Sequence, residues 1–205
     1  MTNLLEAAAE VQRFLQQQGW RFCFIGGLAV QVWGRQRATQ YVDITLLTGL
    51  GDDEALIERL LERFKSRRPD AARFALAARV LLVEAANGVG VDIALGGLPF
   101  EEEIVSRARP REYVPGLSLV TCSAEDLIVL KAFAERGLDW FDVEGILVRQ
   151  WEKLDLPYIR RQLAVLCEAK GSPDIMEELE RLRQKVEARL ADNWWDTGPV
   201  SEKPE

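Results

Sequence analysis

The chain contains no histidine, and this absence removes one kind of chemistry. Imidazole is the usual acid–base group near neutral pH and a common zinc ligand. Any catalysis must therefore use carboxylate, lysine, arginine or hydroxyl groups. The three cysteines, Cys23, Cys122 and Cys167, are far apart and form no CxxC pair. We expect buried thiols in a reducing compartment rather than a disulfide framework.

Long apolar runs and an excess of basic residues are also missing. No run approaches the roughly 20 residues that span a bilayer, and the first residues lack the basic and apolar regions of a signal peptide. We therefore expect a cytoplasmic protein with no membrane partner. The net charge of −7 argues against a general polyanion binder, so any contact with nucleic acid would be local.

The apolar pattern predicts an α+β fold, with a small mixed sheet flanked by helices and a helical C-terminal half. Predicted helices and strands alternate up to about residue 120, and the clearest turn signal is Asn87-Gly88, which predicts a type I′ hairpin between residues 80–86 and 89–95. From Ser123, a capping-box-like start, the pattern is nearly all helical and is broken at Gly137. We divide the chain into an α/β core over residues 1–120, a helical region over 121–192 and a disordered tail over 193–205.

The most informative stretch runs from Phe22 to Leu47. It contains an apolar strand, Gly26-Gly27, a short helix and a second strand that carries Asp43. Glycine lacks a Cβ atom, so the backbone can turn sharply and approach phosphate oxygens, and the following helix offers free N–H groups. Taken alone, a Gly-Gly pair is also typical of a tight strand-to-helix turn.

Asp43 and Asp92 are each the only charged residue of an apolar strand. A buried carboxylate is costly unless it is paired or bound to metal. Either residue alone could instead lie on the exposed face of an edge strand. Together with Gly26-Gly27, the two aspartates predict a paired site that faces a metal ion, with Mg²⁺ or Mn²⁺ as the cofactor.

This stretch resembles the start of the active site in the nucleotidyltransferase superfamily, in the branch that includes AbiEii-type and MNT-like proteins. A second likeness lies in the segment from Leu130 to Asp142. The resemblance extends from about Trp20 to Leu147 and implies a nucleotidyltransferase fold. The residues in register with the first pattern are Gly26, Gly27, Gly34, Arg37, Thr39 and Asp43.

The resemblance implies an enzyme that transfers a nucleoside monophosphate from a Mg²⁺-bound nucleoside triphosphate (NTP) to a hydroxyl group on RNA, protein or a small molecule. Some members are the toxin of a toxin–antitoxin pair, which adds an antitoxin-like protein as an expected partner. The implied nucleotide-binding residues are Gly26, Gly27, Arg37 and Thr39. The implied metal ligands are Asp43 and Asp92, and the implied catalytic residues are Asp43, Asp92 and Lys131, with Asp142 as a weaker candidate.

Several of these residues have ordinary structural interpretations as well. Arg37 could be a surface arginine or form an ion pair with Asp43. Lys131, close to the apolar face of its helix, could extend outward to solvent. Asp139 and Asp142 could be the N-cap and a first-turn acid of the following helix. We assign the N-cap to Asp139 and keep Asp142 as a weak site candidate. The apolar stripe that starts at Ile175 favours packing on the body of the protein, with a homodimer as the alternative.

Tyr41 stands where the resemblance implies the first of two aspartates. A phenol is a poor ligand for Mg²⁺, which prefers carboxylate and water oxygens. Three interpretations stay open: a weakened or inactive protein that still binds nucleotide, an altered geometry that uses the remaining carboxylates, or a substitution of an aspartate in an active parent. The alternative function is a catalytically inactive nucleotide-binding or protein-interaction module on the same fold, and a purely structural α+β domain is a third.

Overall fold

The computed structural model describes residues 2–49, 51 and 53–192, with the side chain of residue 2 left aside. The predicted disordered tail, residues 193–205, lies outside the described residues. The strands are β1 Phe22–Phe24, β2 Tyr41–Leu47, β3 Lys65–Ser66, β4 Val80–Glu84, β5 Gly90–Gly96, β6 Arg109–Val114 and β7 Leu117–Thr121. The helices are α1 Thr2–Gln17, α2 Gly26–Trp33, α3 Asp53–Arg63, α4 Ala71–Ala78, α5 Pro99–Arg107, α6 Ala124–Ala134, α7 Gly137–Gln150, α8 Leu156–Lys170 and α9 Asp174–Ala191, with a 3₁₀ turn at Trp151–Lys153.

The strands form one mixed sheet in the order β3-β4-β5-β2-β1-β7-β6, which confirms the predicted α+β fold. The pairs β2–β5 and β1–β7 are parallel, and the other pairs are antiparallel. In the parallel β2–β5 pair, Asp43 stands directly beside Asp92. The sheet therefore brings together two carboxylates that are far apart along the chain.

Two apolar cores lie on either side of these elements. On β2 the side chains of Val42, Ile44 and Leu46 point into a core shared with α1, α3 and α4. A second core joins α2 and α5 to the C-terminal helices. Because side chains alternate along a strand, Asp43 lies on the face opposite to Val42 and Ile44, toward the C-terminal helices.

The C-terminal helices pack on α2 and on one another. Ser123 caps α6, since its Oγ accepts a hydrogen bond from the Asp126 N–H at 3.1 Å, as the sequence predicts. The end of α6 differs from the prediction: Glu135 takes the left-handed conformation with φ +55°, and Gly137 begins α7. The stripe on α9 is buried and packs on α7 and α8, as predicted.

The predicted type I′ turn is wrong, although the hairpin is present. Among the described non-glycine residues only Arg79 and Glu135 have positive φ, so Asn87 does not take the conformation that type I′ requires. Gly88 alone does, with φ +80°, and its N–H donates to the Ala85 carbonyl at 2.9 Å. This is a three-residue loop in which glycine supplies a bulge, and the Asn87 side chain donates to the Asn3 carbonyl at 2.7 Å.

Within the described ranges, no helix combines the length and the hydropathy that a transmembrane segment requires. The division at residue 120 stays a prediction. The sheet ends at Thr121, and the four helices α6 to α9 follow it along the chain.

Candidate active site

The site begins where β1 passes into α2. Gly26 takes the left-handed conformation with φ +58°, and a Cβ atom there would lie 2.5 Å from Cγ of Asp43. A Cβ atom on Gly27 would lie 2.6 Å from Cβ of Thr39. Both positions therefore require glycine, because any Cβ atom would overlap a neighbouring side chain. The two glycines let the start of α2 approach the Asp43 carboxylate.

Asp43 is the carboxylate at this contact. The Gly27 N–H donates to its Oδ2 at 3.3 Å. Burial raises the pKa of Asp43, the Gly27 hydrogen bond lowers it, and the charge of Asp92 raises it again, with a net upward shift. Asp43 forms no ion pair with a basic side chain of the described residues, so its charge is only weakly compensated.

Asp92 lies beside Asp43 but, unlike Asp43, forms an ion pair with a described basic residue. Arg67, between β3 and α4, forms an ion pair with Asp92 through Nη2 and Oδ1. The Arg67 guanidinium also lies over the Tyr41 ring, with its carbon 5.1 Å from the ring centroid. A Cβ atom on Gly90 would lie 2.6 Å from Tyr41 Cδ1 and 2.8 Å from Arg67 Nη1, so this glycine makes room for both side chains.

A cleft of about 370 Å³ opens in front of Gly26, Gly27 and Asp43, between the sheet and the C-terminal helices. Arg37, Thr39 and Tyr41 line it from the sheet side, and Asp92 is not among its lining residues. From the helices it is lined by Leu127, Leu130, Lys131, Arg136, Leu138 and Asp139. The cleft therefore has a helix N-terminus at its base and three basic side chains on its walls, a combination that suits a phosphate-bearing ligand.

A charge network centred on the buried Lys131, Asp139 and Asp142 forms the far wall of the cleft. The Lys131 ammonium lies between two carboxylates, 2.6 Å from Asp139 Oδ1 and 3.0 Å from Asp142 Oδ2. Arg37 grips Asp142 with Nε and Nη2, each at 2.8 Å, and this pairing raises the pKa of Arg37. Arg136 donates to Asp139 at 2.6 Å. Two acids are thus shared among three bases, which leaves positive charge facing the cleft.

The carboxyl group of Asp139 responds to two opposing influences. Burial raises the pKa of Asp139, but hydrogen bonds from Lys131 and Arg136 and their charges lower it more, and the net shift is downward. Asp139 is therefore ionised at neutral pH and holds Lys131 in position.

These contacts correct three of the structural interpretations. Arg37 pairs with Asp142 rather than with Asp43. Lys131 is 6% exposed and does not extend into solvent. The N-cap of α7 is Arg136, and Asp139 lies within the first turn, where its side chain binds neighbouring bases instead of capping N–H groups.

The structure brings six predicted site residues to one cleft: Gly26, Gly27, Arg37, Thr39, Asp43 and Lys131. Asp92 and Asp142 do not line the cleft. Asp92 lies beside Asp43, and Asp142 pairs with Arg37 and Lys131. The Thr39 hydroxyl donates to the Tyr41 carbonyl at 3.3 Å. Sequence reasoning missed Arg67 and assigned no role to Arg136. Arg136 lies inside the segment that carried the second resemblance, whereas nothing in the local pattern around Arg67 indicates its contact with Asp92.

Whether the cleft can hold a divalent cation depends on the oxygen donors around it. The part of the chain that the structure describes holds no preformed group of three or more metal-binding acids or cysteines. Asp43 supplies hard oxygen atoms that no base of the described residues pairs with, next to a second carboxylate. Since Mg²⁺ is often bound through one or two carboxylates, water and substrate phosphates, these residues fit one cation that arrives with a nucleotide.

The sequence matches no protein-family model and no curated protein. Among solved structures, an antigenic nucleotidyltransferase-like protein from Paracoccidioides brasiliensis is 13% identical, with 86% of this chain and 92% of that chain covered and a TM-score of 0.51. The antibiotic-resistance factor ANT(2'')-Ia is 16% identical over 95% of this chain and 97% of that one, with a TM-score of 0.44. The lincosamide antibiotic adenylyltransferase LnuA in its lincomycin-bound form is 12% identical over 69% of this chain and 94% of that one, with a TM-score of 0.46. The likeness to the first of these assigns the chain a nucleotidyltransferase-like fold.

Proposed function

We propose that this protein binds a Mg²⁺- or Mn²⁺-bound NTP in the cleft and transfers its nucleoside monophosphate to an acceptor hydroxyl. The observation that carries the proposal is the contact of Gly26 and Gly27 with Asp43. It puts the N-terminus of α2, the half-buried Asp43 carboxylate and a basic wall around one cleft. These are the parts that phosphoryl-group transfer requires, because that chemistry depends mainly on positioning and charge stabilisation.

In this proposal the glycine turn and the start of α2 hold phosphate oxygens through backbone N–H groups. Lys131 and Arg37 neutralise the triphosphate, and Arg136 stands at the same wall. The acceptor oxygen bonds to the α-phosphorus, the bond from that phosphorus to its bridging oxygen breaks, and pyrophosphate leaves. The hydroxyl proton passes to solvent water, because Asp43 holds the cation and Asp92 is paired with Arg67.

Asp43, with Asp92 beside it, would hold the divalent cation. When bound, that ion neutralises phosphate charge and polarises the acceptor oxygen. The upward shift in the pKa of Asp43 supports this role, because a carboxylate without a basic partner gains most from a cation.

The second candidate function is a nucleotide-binding module without catalysis. Two observations favour it: Tyr41 offers no carboxylate, and the Asp92 carboxylate is occupied by Arg67. Such a protein would keep the glycine turn and the basic wall and still bind nucleotide.

Calorimetric titration of each Mg²⁺-NTP tests the claim that both candidates share, namely that the cleft binds nucleotide. We expect metal-dependent binding by the natural chain. Lys131→Met should weaken binding, and Lys65→Met should not, because Lys65 is 78% exposed on β3 and paired with Glu84. No binding of any NTP would overturn both candidates.

Pyrophosphate release in the presence of RNA, protein and small-molecule acceptors then separates the two candidates. Release by the natural chain supports the transferase. Release only by Tyr41→Asp, with Tyr41→Phe as the matched control, supports a binding module derived from an enzyme.

The acceptor, a toxin–antitoxin role, an antitoxin-like partner and a homodimer belong to this proposal as predictions from the resemblance. Co-expression with the protein of a neighbouring reading frame tests the partner. Light scattering of the purified chain tests the dimer.

A further inference from the structure

The contact between Arg67 and Asp92 is a built arrangement rather than a surface ion pair. The Arg67 N–H donates to the Leu82 carbonyl at 3.0 Å, which continues the pairing of β3 with β4 by one residue. Leu82 in turn stands opposite Asp92 in the β4–β5 pair. The sheet register therefore places Arg67 two strands away from Asp92, within reach of its long side chain.

Tyr41 and Gly90 complete the arrangement. They are partners in the β2–β5 register, two residues before Asp43 and Asp92 on the same strands. The missing side chain of Gly90 leaves the space in which the Arg67 guanidinium lies over the Tyr41 ring. A guanidinium over an aromatic face is held by cation–π attraction. Arg67 is therefore held by contacts with three strands: β4 through its N–H, β5 through Asp92 and β2 through Tyr41.

Hydrogen bonding alone does not explain why Arg67 is there. Its Nε is buried and has no partner among the described residues. A buried donor without a partner is costly, and such groups tend to persist where the group has a task. The two contacts that the Arg67 guanidinium does make, with Asp92 and with the Tyr41 ring, both depend on its positive charge.

The charges around the two aspartates can be counted from the contacts. Asp43 and Asp92 stand side by side and carry two negative charges when ionised. Arg67 compensates one of them at Asp92, and no basic side chain of the described residues forms an ion pair with Asp43. One carboxylate is left for one cation.

We propose, on the basis of the function proposed above, that Arg67 is a built-in cation at Asp92 and that the nucleotide site takes a single divalent ion, held on Asp43. Arg67 is then a positioning residue. It keeps Asp92 neutralised beside Asp43 and makes a second metal ion unnecessary.

The experiment counts Mn²⁺ by electron paramagnetic resonance during titration, with and without an NTP analogue whose α,β-bridging oxygen is replaced by carbon. We expect one bound Mn²⁺ per bound nucleotide in the natural chain. Arg67→Met frees Asp92 and should bind two Mn²⁺, with nucleotide affinity reduced about tenfold or more at low Mn²⁺. Arg67→Lys keeps the charge and should bind one.

Arg68→Met is the matched control. Arg68 also pairs with a carboxylate, Asp70, and lies over a ring, Phe74, but outside the cleft. It should bind one Mn²⁺ with unchanged nucleotide affinity.

Two outcomes would overturn this inference and leave the proposed function intact. One is that the natural chain binds two Mn²⁺ per nucleotide. The other is that Arg67→Met binds one Mn²⁺ with unchanged nucleotide affinity. The first needs no variant, so a failure of Arg67→Met to fold does not protect the inference. No nucleotide binding by the natural chain with Mn²⁺ would instead overturn the proposed function, and the inference with it.

Discussion

Arg37 and Asp142 join the two halves of this protein through a two-pronged ion pair. Both nitrogen–oxygen distances are 2.8 Å, and the partners are 105 residues apart. Arg37 lies just before β2, and Asp142 lies on α7 with 1% of its side chain exposed. Because Lys131 binds the same carboxylate, one acid fixes two bases at the wall of the cleft.

This relationship predicts that Asp142→Asn destabilises the fold. The amide cannot balance the buried Lys131 and the partly exposed Arg37, and breaking a buried pair costs about 3 kcal/mol or more. Urea unfolding at pH 7 measures the loss. Asp70→Asn, which removes a partly exposed partner of Arg68, is the control and should change little. A loss no larger than that of the control would show that the network carries no net stability.

Gly26→Ala should damage both stability and nucleotide binding. The new methyl group would overlap the Asp43 carboxylate, and the left-handed backbone is strained for alanine. We expect a loss of about 2 kcal/mol or more in the free energy of unfolding. Gly137→Ala is the control, because nothing lies within 4 Å of a Cβ atom there. Equal effects of the two substitutions would contradict the close approach.

Asp43→Asn should make the protein more stable at pH 7 while removing metal-dependent nucleotide binding. Burial raises the pKa of Asp43 in the folded state, so the natural chain loses stability as the pH rises from the ordinary carboxyl pKa through the raised one. The amide escapes that loss and can still accept the Gly27 N–H. We expect a gain of about 1 kcal/mol at pH 7.

The pH dependence provides the check on that prediction. At a pH below the ordinary carboxyl pKa, Asp43 is protonated in both states, so the gain from Asp43→Asn should shrink toward zero. Urea unfolding at several pH values measures it. A variant that is less stable than the natural chain at pH 7 would refute the assignment of Asp43 as an uncompensated carboxylate.

Lys131→Met should weaken nucleotide binding more than it weakens the fold. Methionine fills a similar apolar volume, and the two acids keep Arg136 and Arg37 as partners. Loss of one charge-assisted contact to phosphate corresponds to about a tenfold weaker affinity or more. Calorimetry on the folded variant measures it. Unchanged affinity would place the phosphates elsewhere.

The sequence predicts the parts of the site that lie in one short segment. Gly26, Gly27 and Asp43 can be predicted because a glycine turn, a helix start and a lone acid in an apolar strand are local signals. The α+β fold and the helical second half can be predicted for the same reason, because periodicity is local.

What could not be predicted depends on register and on long-range pairing. Arg67 reaches Asp92 only because β3, β4 and β5 pair in one particular alignment. Arg37 meets Asp142 only once α7 packs beside α2. The Asn87-Gly88 turn shows the same limit on a small scale, since its type follows from the strand pairing, in which Ala85 bonds to Val89 and leaves a three-residue loop.

The separation of Arg37 and Asp142 has a consequence for how the protein matures. At roughly 5–20 residues per second, the ribosome adds the second partner about 5–20 s after the first. The glycine turn, the paired strands and Arg67 are all synthesised before α7, so at that stage the nascent chain has one wall of the cleft missing. Under the proposed function, nucleotide would therefore be captured only after Asp142, residue 142 of 205, has been added, and a product truncated before α7 should not hold nucleotide.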